Sequence, residues 1–485
     1  MDLREILTRA FPEAAAAAPS GVEISGIETD SRAVQKGFIF IAIRGVKKDG
    51  GEFIREALSR GAAAIIADKK PSEPVSGPYL EVPDAREAAA KLASVFYGHP
   101  SASLKITGIT GTNGKTTSSY ILEHLLSREN KSTGVIGTVS YRFAGKEIPA
   151  SETTPGPLKL QRILSEMRDE KCAYVAMEVS SHALDQKRAA GIDFEAALFT
   201  NLTQDHLDYH HTMEEYFAAK LKLFSSLSVG KTAAVNVDDA WGPKIIPQTR
   251  GQVVTYAVRA AADFKAENIV FGNDRTDWEM RRGNAVIRVS SPLAGLHNVY
   301  NVLGVFAVMH GLGFSVESAA KNLRSFAGVP GRLEEVSGGQ DFKVYVDFAH
   351  TPDGLFNVLK ALQEYRKKKL LVVFGCGGDR DRDKRPKMAR IAGELSDFVY
   401  VTSDNPRSEN PRAIADEICA GFPKDFKNYT VVLDRRKAIR QALLSAREGD
   451  VVLLAGKGHE RTQIIAGEAF PFSDREEAEK VLNGR

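Results

Sequence analysis

Cysteine is scarce in this chain of 485 residues, and its three cysteines, Cys172, Cys376 and Cys419, never fall in CxxC spacing. Neither a disulfide framework nor a zinc site is indicated. No apolar run approaches the roughly 18 residues a membrane span requires. The opening residues, MDLREILTRAF, are charged and amphipathic rather than basic and then apolar, so no secretory signal is expected. Charge of one sign is also lacking: 65 Lys and Arg against 62 Asp and Glu leave a formal +3. That near balance, without a basic patch interleaved with aromatics, argues against nucleic acid as a partner. A cytoplasmic protein that does not insert into a membrane is the expectation.

What is present suits a globular enzyme. Hydrophobic residues at 43% and charged residues at 26% allow real cores, and the length is enough for two to four domains. Residues 1–100 mix short strands such as GFIFIAIRG (37–45) with a helical pattern at 85–98; AAAAAPSG (14–21) reads as a helix end and turn. GHPSASLK (98–105) marks one boundary and GVPGRLEEV (328–336) a second, giving domains 1–101, 102–331 and 332–485. From 102 onward strands alternate with helices, as do the runs KVYVDFAH, KKLLVVFGCG, DFVYVTSDN and DVVLLAGKG after the second boundary. The fold class is therefore α/β with parallel sheets, whose ligands bind at the carboxyl ends of the strands.

GITGTNGKTT (108–117) follows a predicted strand and opens a helix, the placement of a phosphate loop. Its glycines let backbone N–H groups approach phosphates, and the helix N-terminus adds favourable partial charge. Lys115 would reach the terminal phosphates and Thr116 would offer its hydroxyl to Mg²⁺. The strict GxxxxGK[ST] pattern would need glycine at Ile109; here the loop runs from Gly108 as GxxGxxGKT. Downstream, Glu178 ends an apolar strand in MEVSSHALDQKR, where a buried carboxylate needs a cation, and Mg²⁺ suits its hard oxygens. TNLTQDHLDYHH (200–211) sets three histidines among two aspartates after the next strand. Zinc is the alternative there, but beside a phosphate loop Mg²⁺ chemistry is favoured.

DNPRSENP (404–411) poses a separate question, because a proline-flanked turn presents an arginine between acidic residues far from the phosphate loop. Pro406 and Pro411 stiffen it, while Asp404 and Asn405 can lock it through side-chain-to-backbone bonds. A fixed guanidinium at Arg407 suits a carboxylate. The competing reading is a surface arginine paired with Glu409.

GITGTNGKTT, MEVSSHAL, TNLTQDHLDYH, HNVYN (297–301), VPGRLE (329–334), DFAHTPD (347–353) and DNPR occur in the order found in Mur ligases, and ETDSRAVQKGFIFIAIRG (28–45) extends the match. Over essentially its whole length the chain resembles that family. The resemblance implies a three-domain architecture: a UDP-substrate domain, a central P-loop ATPase domain and a Rossmann-like C-terminal domain. It also implies an amide ligase that spends ATP to make an acyl phosphate, which an amine then attacks. Its diaminopimelate-adding branch joins meso-2,6-diaminopimelate to UDP-N-acetylmuramoyl-L-alanyl-D-glutamate in peptidoglycan synthesis, and a monomer is expected.

Carried over residue by residue, the resemblance assigns ATP to Gly111, Thr112, Asn113, Gly114, Lys115, Thr116 and Thr117, with Asn298, Asn301, Arg332 and Asp347. Metal falls to Thr116, Glu178, His206 and Lys220, the last as a carbamate; catalysis falls to Lys115, His206 and Lys220. The UDP substrate takes Ser31, Val46, Lys47, Lys48, Thr153, Thr154, Ser180, Gln186 and Arg188, although Lys47 and Lys48 also read as solvated surface charge. Diaminopimelate takes Asp404, Asn405, Pro406 and Arg407, with Arg380, Gly456 and Glu460 at its other end. Phe348 stands where relatives usually carry tyrosine, and Glu152 where they often carry a neutral residue. A folylpolyglutamate synthase, another amino-acid ligase of the family, and a P-loop motor on nucleic acid are the alternatives. The DSR-bearing N-terminal segment favours the cell-wall substrate over folate.

Overall fold

The computed structural model describes residues 1–12, 19–45, 48–70, 77–272 and 275–484. Val46 and Lys47, and most of 14–21, lie outside them. The chain divides into two compact units, Met1–Gly108 with Glu129–Ala196, and Ile109–Arg128 with Ala197–Arg485.

The first unit opens with a four-stranded parallel sheet in the order Gly26–Glu28, Phe38–Ala42, Ala64–Ala67, Tyr79–Glu81. Parallel strands are covered on both faces, which is why FIFIA and AIIA read as continuous apolar runs. Successive side chains divide between the faces: Ile39 and Ile41 join Leu3, Ile6 and Leu92, while Phe40 and Ala42 join Ile54 and Ala57. Helix Ala85–Phe96 starts where Asp84 accepts from the amides of Arg86 and Glu87. Farther along, Thr133–Ile136 pairs in parallel with Tyr174–Glu178 and begins an antiparallel meander through Ser140–Phe143 and Lys146–Pro149.

In the second unit the strands Thr232–Asn236, Gln252–Ala257 and Phe264–Phe271 run parallel, and Thr276–Arg282 and Ala285–Ser291 then turn antiparallel. Helix Leu296–Gly311 is apolar nearly all round and correspondingly buried. A second sheet orders Glu334–Glu335, Lys343–Asp347, Val451–Ala455, Leu370–Phe374, Phe398–Val401 and Tyr429–Val431, parallel except at its first pair. Leu370, Val372 and Phe374 face one core and Leu371 and Val373 the other, so helices cover both faces as in doubly wound folds. The strand–helix alternation expected from the sequence is the one observed. The antiparallel strands 264–291 and the hairpins 140–149 and 462–471 lie outside that alternation, because they are half-exposed ribbons.

Arg435 and Asp474 are both fully buried, joined by Nε to Oδ1 at 2.7 Å and Nη2 to Oδ2 at 2.6 Å. Removing one charge strands the other in the core. Asp474→Asn should cost about 3–5 kcal/mol, read by urea unfolding; a loss below ~1 kcal/mol would mean the pair holds little.

Candidate active site

Strand Lys105–Thr110 delivers the loop 111–114 to helix Lys115–Arg128. Two of its positions admit only glycine. At Gly111 a Cβ would strike the Thr200 hydroxyl, and at Gly114, with φ +88°, it would strike Asn301 Oδ1. The residues just past the strand Phe194–Phe199 brace the loop: Asn201 O accepts from the Thr112 amide at 2.9 Å, and Asn201 Oδ1 from the Asn113 amide at 2.9 Å. Thr200 Oγ1 donates to Asn113 O at 2.6 Å, and Asn113 Nδ2 donates to Asp353 at 2.7 Å. Lys115 Nζ folds back onto Gly111 O at 2.8 Å and Thr112 O at 2.9 Å, so its charge rests at the loop's mouth.

Lys220 lies in helix Met213–Ser225 and is buried. Its Nζ donates to Gly111 O at 2.9 Å and sits 4.4 Å from the centre of the Tyr216 ring. Burial, then the Lys115 charge, push its pKa well below the usual lysine value. Tyr216 Oη bonds Thr112 Oγ1 at 3.2 Å, tying this helix to the loop. Lys222 is exposed, as a plain surface lysine should be. Asp205 is buried; burial raises a carboxyl, but His206, His350 and Lys384 outweigh it and hold Asp205 at about 2. His206 Nε2 stands 3.3 Å from Asp205 Oδ2. Burial, then Lys384, lower His350 to about 4, so its imidazole is neutral at physiological pH.

Asn301 Nδ2 donates to Asn298 Oδ1 at 3.0 Å, and Asn298 Nδ2 to Ala294 O at 2.8 Å, which fixes both amides beside Gly114. Arg332 Nη2 donates to the Thr116 hydroxyl at 3.2 Å, and its guanidinium lies 4.5 Å from the Phe348 ring centre. Asp347 has both oxygens on backbone amides, those of Leu333 and Ala349, each at 2.7 Å. It thereby holds Leu333 in a left-handed turn, φ +46°.

In the first unit, Glu178 ends its strand with Oε1 accepting from the Thr138 amide at 3.0 Å and Oε2 from the Thr138 hydroxyl at 2.8 Å. Thr138 Oγ1 meets Thr153 Oγ1 at 3.1 Å. Thr154 Oγ1 donates to Glu178 O at 2.9 Å and accepts from the Ser180 amide at 3.0 Å. Ser180 caps the helix Ser181–Asp185. Arg188 donates to Thr154 O at 2.9 Å and to Gln186 Oε1 at 2.7 Å, and pairs with Glu152 at 2.7 Å. Thr153, Thr154, Ser180, Gln186, Arg188 and Glu178 therefore form one cluster. In the N-terminal sheet region Ser31 is buried and its hydroxyl donates to Glu56 at 2.7 Å, while the Lys48 ammonium lies 5.6 Å from the Phe53 ring centre.

The DNPR turn is locked, as its Asp and Asn suggest. Asp404 Oδ1 accepts from the Asn405 amide at 2.6 Å, and Asn405 Oδ1 from the Ile464 amide at 3.0 Å. Asn405 Nδ2 donates to Glu460 at 2.9 Å, and a Cβ on Gly456 would come 2.8 Å from Asp404 Oδ2. Arg407 has φ +52°, is half-buried rather than exposed, and donates to Gly378 O at 2.7 Å. It does not pair with Glu409, which Arg382 and Arg385 engage instead. Burial, then Arg380, lower its pKa. Among the described residues neither Arg380 nor Arg407 forms an ion pair with an acid.

The residues that sequence reasoning passed over are braces. Lys457, fully buried, bonds Asn405 Oδ1 at 3.0 Å and Glu460 at 2.8 Å. A lysine between two glycines at a strand's carboxyl end was the available signal. Asn201 and Asp353 stood inside the motifs TNLTQDH and DFAHTPD without an evident charge task.

Three family models match: "Mur ligase family, catalytic domain" over residues 23–97, "Mur ligase middle domain" over 109–309 and "Mur ligase, glutamate ligase domain" over 331–458. A UDP-N-acetylmuramoyl-L-alanyl-D-glutamate--2,6-diaminopimelate ligase of Gloeobacter violaceus is 46% identical, over 96% of this chain and 95% of its own. One of the same name from Listeria monocytogenes is 44% identical, over 99% and 98%. A solved structure of a ligase so named covers 100% of this chain and 99% of its own, with TM-score 0.71 and 31% identity. A Mycobacterium tuberculosis folylpolyglutamate synthase shares the fold at TM-score 0.64 but only 17% identity, over 76% of this chain and 92% of its own. Family models across all three segments and relatives matched nearly end to end leave one conclusion: this chain belongs to the Mur ligase family.

Proposed function

We propose that the chain is an ATP-dependent acid–amino-acid ligase that joins meso-diaminopimelate to UDP-N-acetylmuramoyl-L-alanyl-D-glutamate, releasing ADP and phosphate, in peptidoglycan precursor synthesis. The observation that carries the choice of amino acid is the pair of guanidiniums, Arg380 and Arg407, that form no ion pair with any described acid. Diaminopimelate differs from lysine by one distal carboxylate. Apolar contacts cannot read that difference, whereas a fixed guanidinium can pair with it and is left unpaired by lysine.

Domains 1–101, 102–331 and 332–485 divide the work as UDP-substrate, ATP and amino-acid domains in this reading. Thr153, Thr154, Ser180, Gln186 and Arg188, with Ser31 and Lys48, take the nucleotide-peptide. The loop 111–117 grips the phosphates of ATP, and Asn298, Asn301, Arg332 and Asp347 line the nucleotide. The substrate carboxylate attacks the terminal phosphorus and the bond to ADP breaks. The amine of diaminopimelate then adds to the acyl carbon and loses a proton as the amide forms and phosphate leaves. Lys115 offsets the charge that builds on the transferred group.

Each assigned donor suits Mg²⁺ by its own chemistry: in the second unit the Thr116 hydroxyl is a hard oxygen and a Lys220 carbamate would add another, and in the first unit the Glu178 carboxylate is a hard oxygen as well. In this reading the His206 imidazole, whose Nε2 stands 3.3 Å from Asp205 Oδ2, would be a nitrogen donor in addition to these oxygens. When bound, the ion supplies charge neutralisation to the phosphates.

An amino-acid panel with UDP-muramoyl dipeptide tests the reading, since phosphate release should require both the nucleotide-peptide and diaminopimelate. Release stimulated by DNA or RNA instead would sink it. Because Arg407 is half-buried, Arg407→Ala should lower kcat/KM for diaminopimelate by roughly 30–150-fold, about 2–3 kcal/mol. Lysine, already poor, should change little. Equal losses for both amino acids would remove Arg407 as the selector.

A further inference from the structure

Glu409 follows Arg407 by two residues, and both side chains meet the same glycine. A Cβ on Gly378 would lie 3.2 Å from Glu409 Cβ, and the Gly378 carbonyl holds Arg407 Nη1 at 2.7 Å. Acid and guanidinium therefore flank the same residue. Glu409 nevertheless points elsewhere. Its Oε1 accepts from Arg385 Nη2 at 2.9 Å and the Asp379 amide at 2.6 Å. Its Oε2 accepts from Arg385 Nη1 at 3.0 Å and Arg382 Nη2 at 2.8 Å.

Of the two arginines, Arg382 is largely exposed and holds one oxygen, a weak tether. Arg385 is fully buried, grips both oxygens, and is itself set by Glu417 at 2.7 Å and Gly377 O at 3.2 Å. The nearby Asp379 is likewise occupied, its two oxygens accepting from the Ser408 amide and hydroxyl at 3.1 and 2.7 Å. Asp404 accepts from the Asn405 amide and Glu460 from Asn405 and Lys457, so the acids around Arg407 are engaged by other donors. The Arg385 and Arg382 bonds hold the Glu409 carboxyl at about 2; a glutamate without them returns toward its ordinary value of about 4.3 and is still charged at neutral pH.

We propose that Arg385 is a positioning residue for amino-acid selection: by sequestering Glu409 it keeps Arg407 open to the substrate's carboxylate. This rests on the reading that Arg407 receives that carboxylate. The sequence around it, RDKRP (382–386) followed by DNPRSE (404–409), then encodes one device, a selector and the clamp that prevents its own loop from occupying it.

The test is a two-residue cycle in the full chain, with KM measured separately for diaminopimelate, ATP and the nucleotide-peptide. Arg385→Met should raise KM for diaminopimelate about 30-fold and leave the other two within about twofold. Glu409→Gln alone should stay within about threefold of wild type, and Arg385→Met/Glu409→Gln should recover to within about fivefold, because the competitor's charge is gone. A merely structural arginine predicts no recovery, since the double variant lacks both partners. If Arg385→Met does not fold, Arg385→Lys with and without Glu409→Gln makes the same comparison, with a loss of about fivefold that the second change removes. A folded Arg385 variant with unchanged KM for diaminopimelate, or a loss that Glu409→Gln does not repair, overturns the proposal. If Arg407→Ala also leaves diaminopimelate use untouched, the fault lies with the selector assignment; if Arg407→Ala impairs it, only the clamp has failed.

Discussion

Lys115→Ala should slow phosphate release by ~10³-fold or more, a loss in kcat far larger than any loss in nucleotide affinity. The ammonium rests on two carbonyls of its own loop, Gly111 O and Thr112 O, which holds its charge at the loop's mouth. A charge at the loop's mouth gains most when negative charge spreads over the transferred phosphoryl group, and little when nucleotide merely binds. Lys115→Arg should fail nearly as badly, because a planar fork cannot follow a compact ammonium into a loop closed by Thr200 and Asn301. Phosphate release should also vanish when Mg²⁺ is chelated and return on adding it back. The measurements are single-turnover phosphate release and nucleotide binding for wild type and variant. Near-normal turnover in Lys115→Ala would refute the assignment of the loop.

Lys220→Ala is expected to be nearly inactive, by ~10³-fold, and partly rescued by short carboxylates such as formate or acetate. A lysine in an amphipathic helix is ordinarily a surface charge, yet this one is buried over the Tyr216 ring with its Nζ on the loop carbonyl of Gly111. Burial and the neighbouring Lys115 favour the neutral amine, and only a neutral amine adds to carbon dioxide. The nitrogen forms a bond to the carbon of CO₂ and loses a proton, so a cation becomes a carboxylate able to hold metal beside the phosphates. A small carboxylate entering the space left by alanine would restore that charge. Full activity of the alanine variant, or an inactive variant that no carboxylate rescues and that binds Mg²⁺ as well as wild type, would sink the carbamate.

The legibility of this protein in its sequence was uneven, and the unevenness has a physical pattern. Chemistry that depends on neighbours in the chain was readable. The phosphate loop needs glycines and a lysine at set spacing between one strand and one helix, and residues 108–117 show that spacing directly. Buried parallel strands are apolar on both faces, so Leu370–Phe374 and Val451–Ala455 stood out as runs. The turn at 404–407 carried one lock of its own, Asp404 on the Asn405 amide, whereas Asn405 reaches across to the Ile464 amide.

Tertiary structure alone decided which charges cancel. Nothing local says that Glu409 turns from Arg407 to a buried Arg385, that Asp474 meets Arg435 across 39 residues, or that Asp347 spends its oxygens on two amides. An ion pair or a hydrogen bond is made in three dimensions at about 3 Å, and its strength depends on the burial around it. Spacing along the chain encodes neither. Motif and order were therefore enough to place this chain among the Mur ligases, whereas the fold decided which arginines form no ion pair among the described residues and which lysine is buried against the loop.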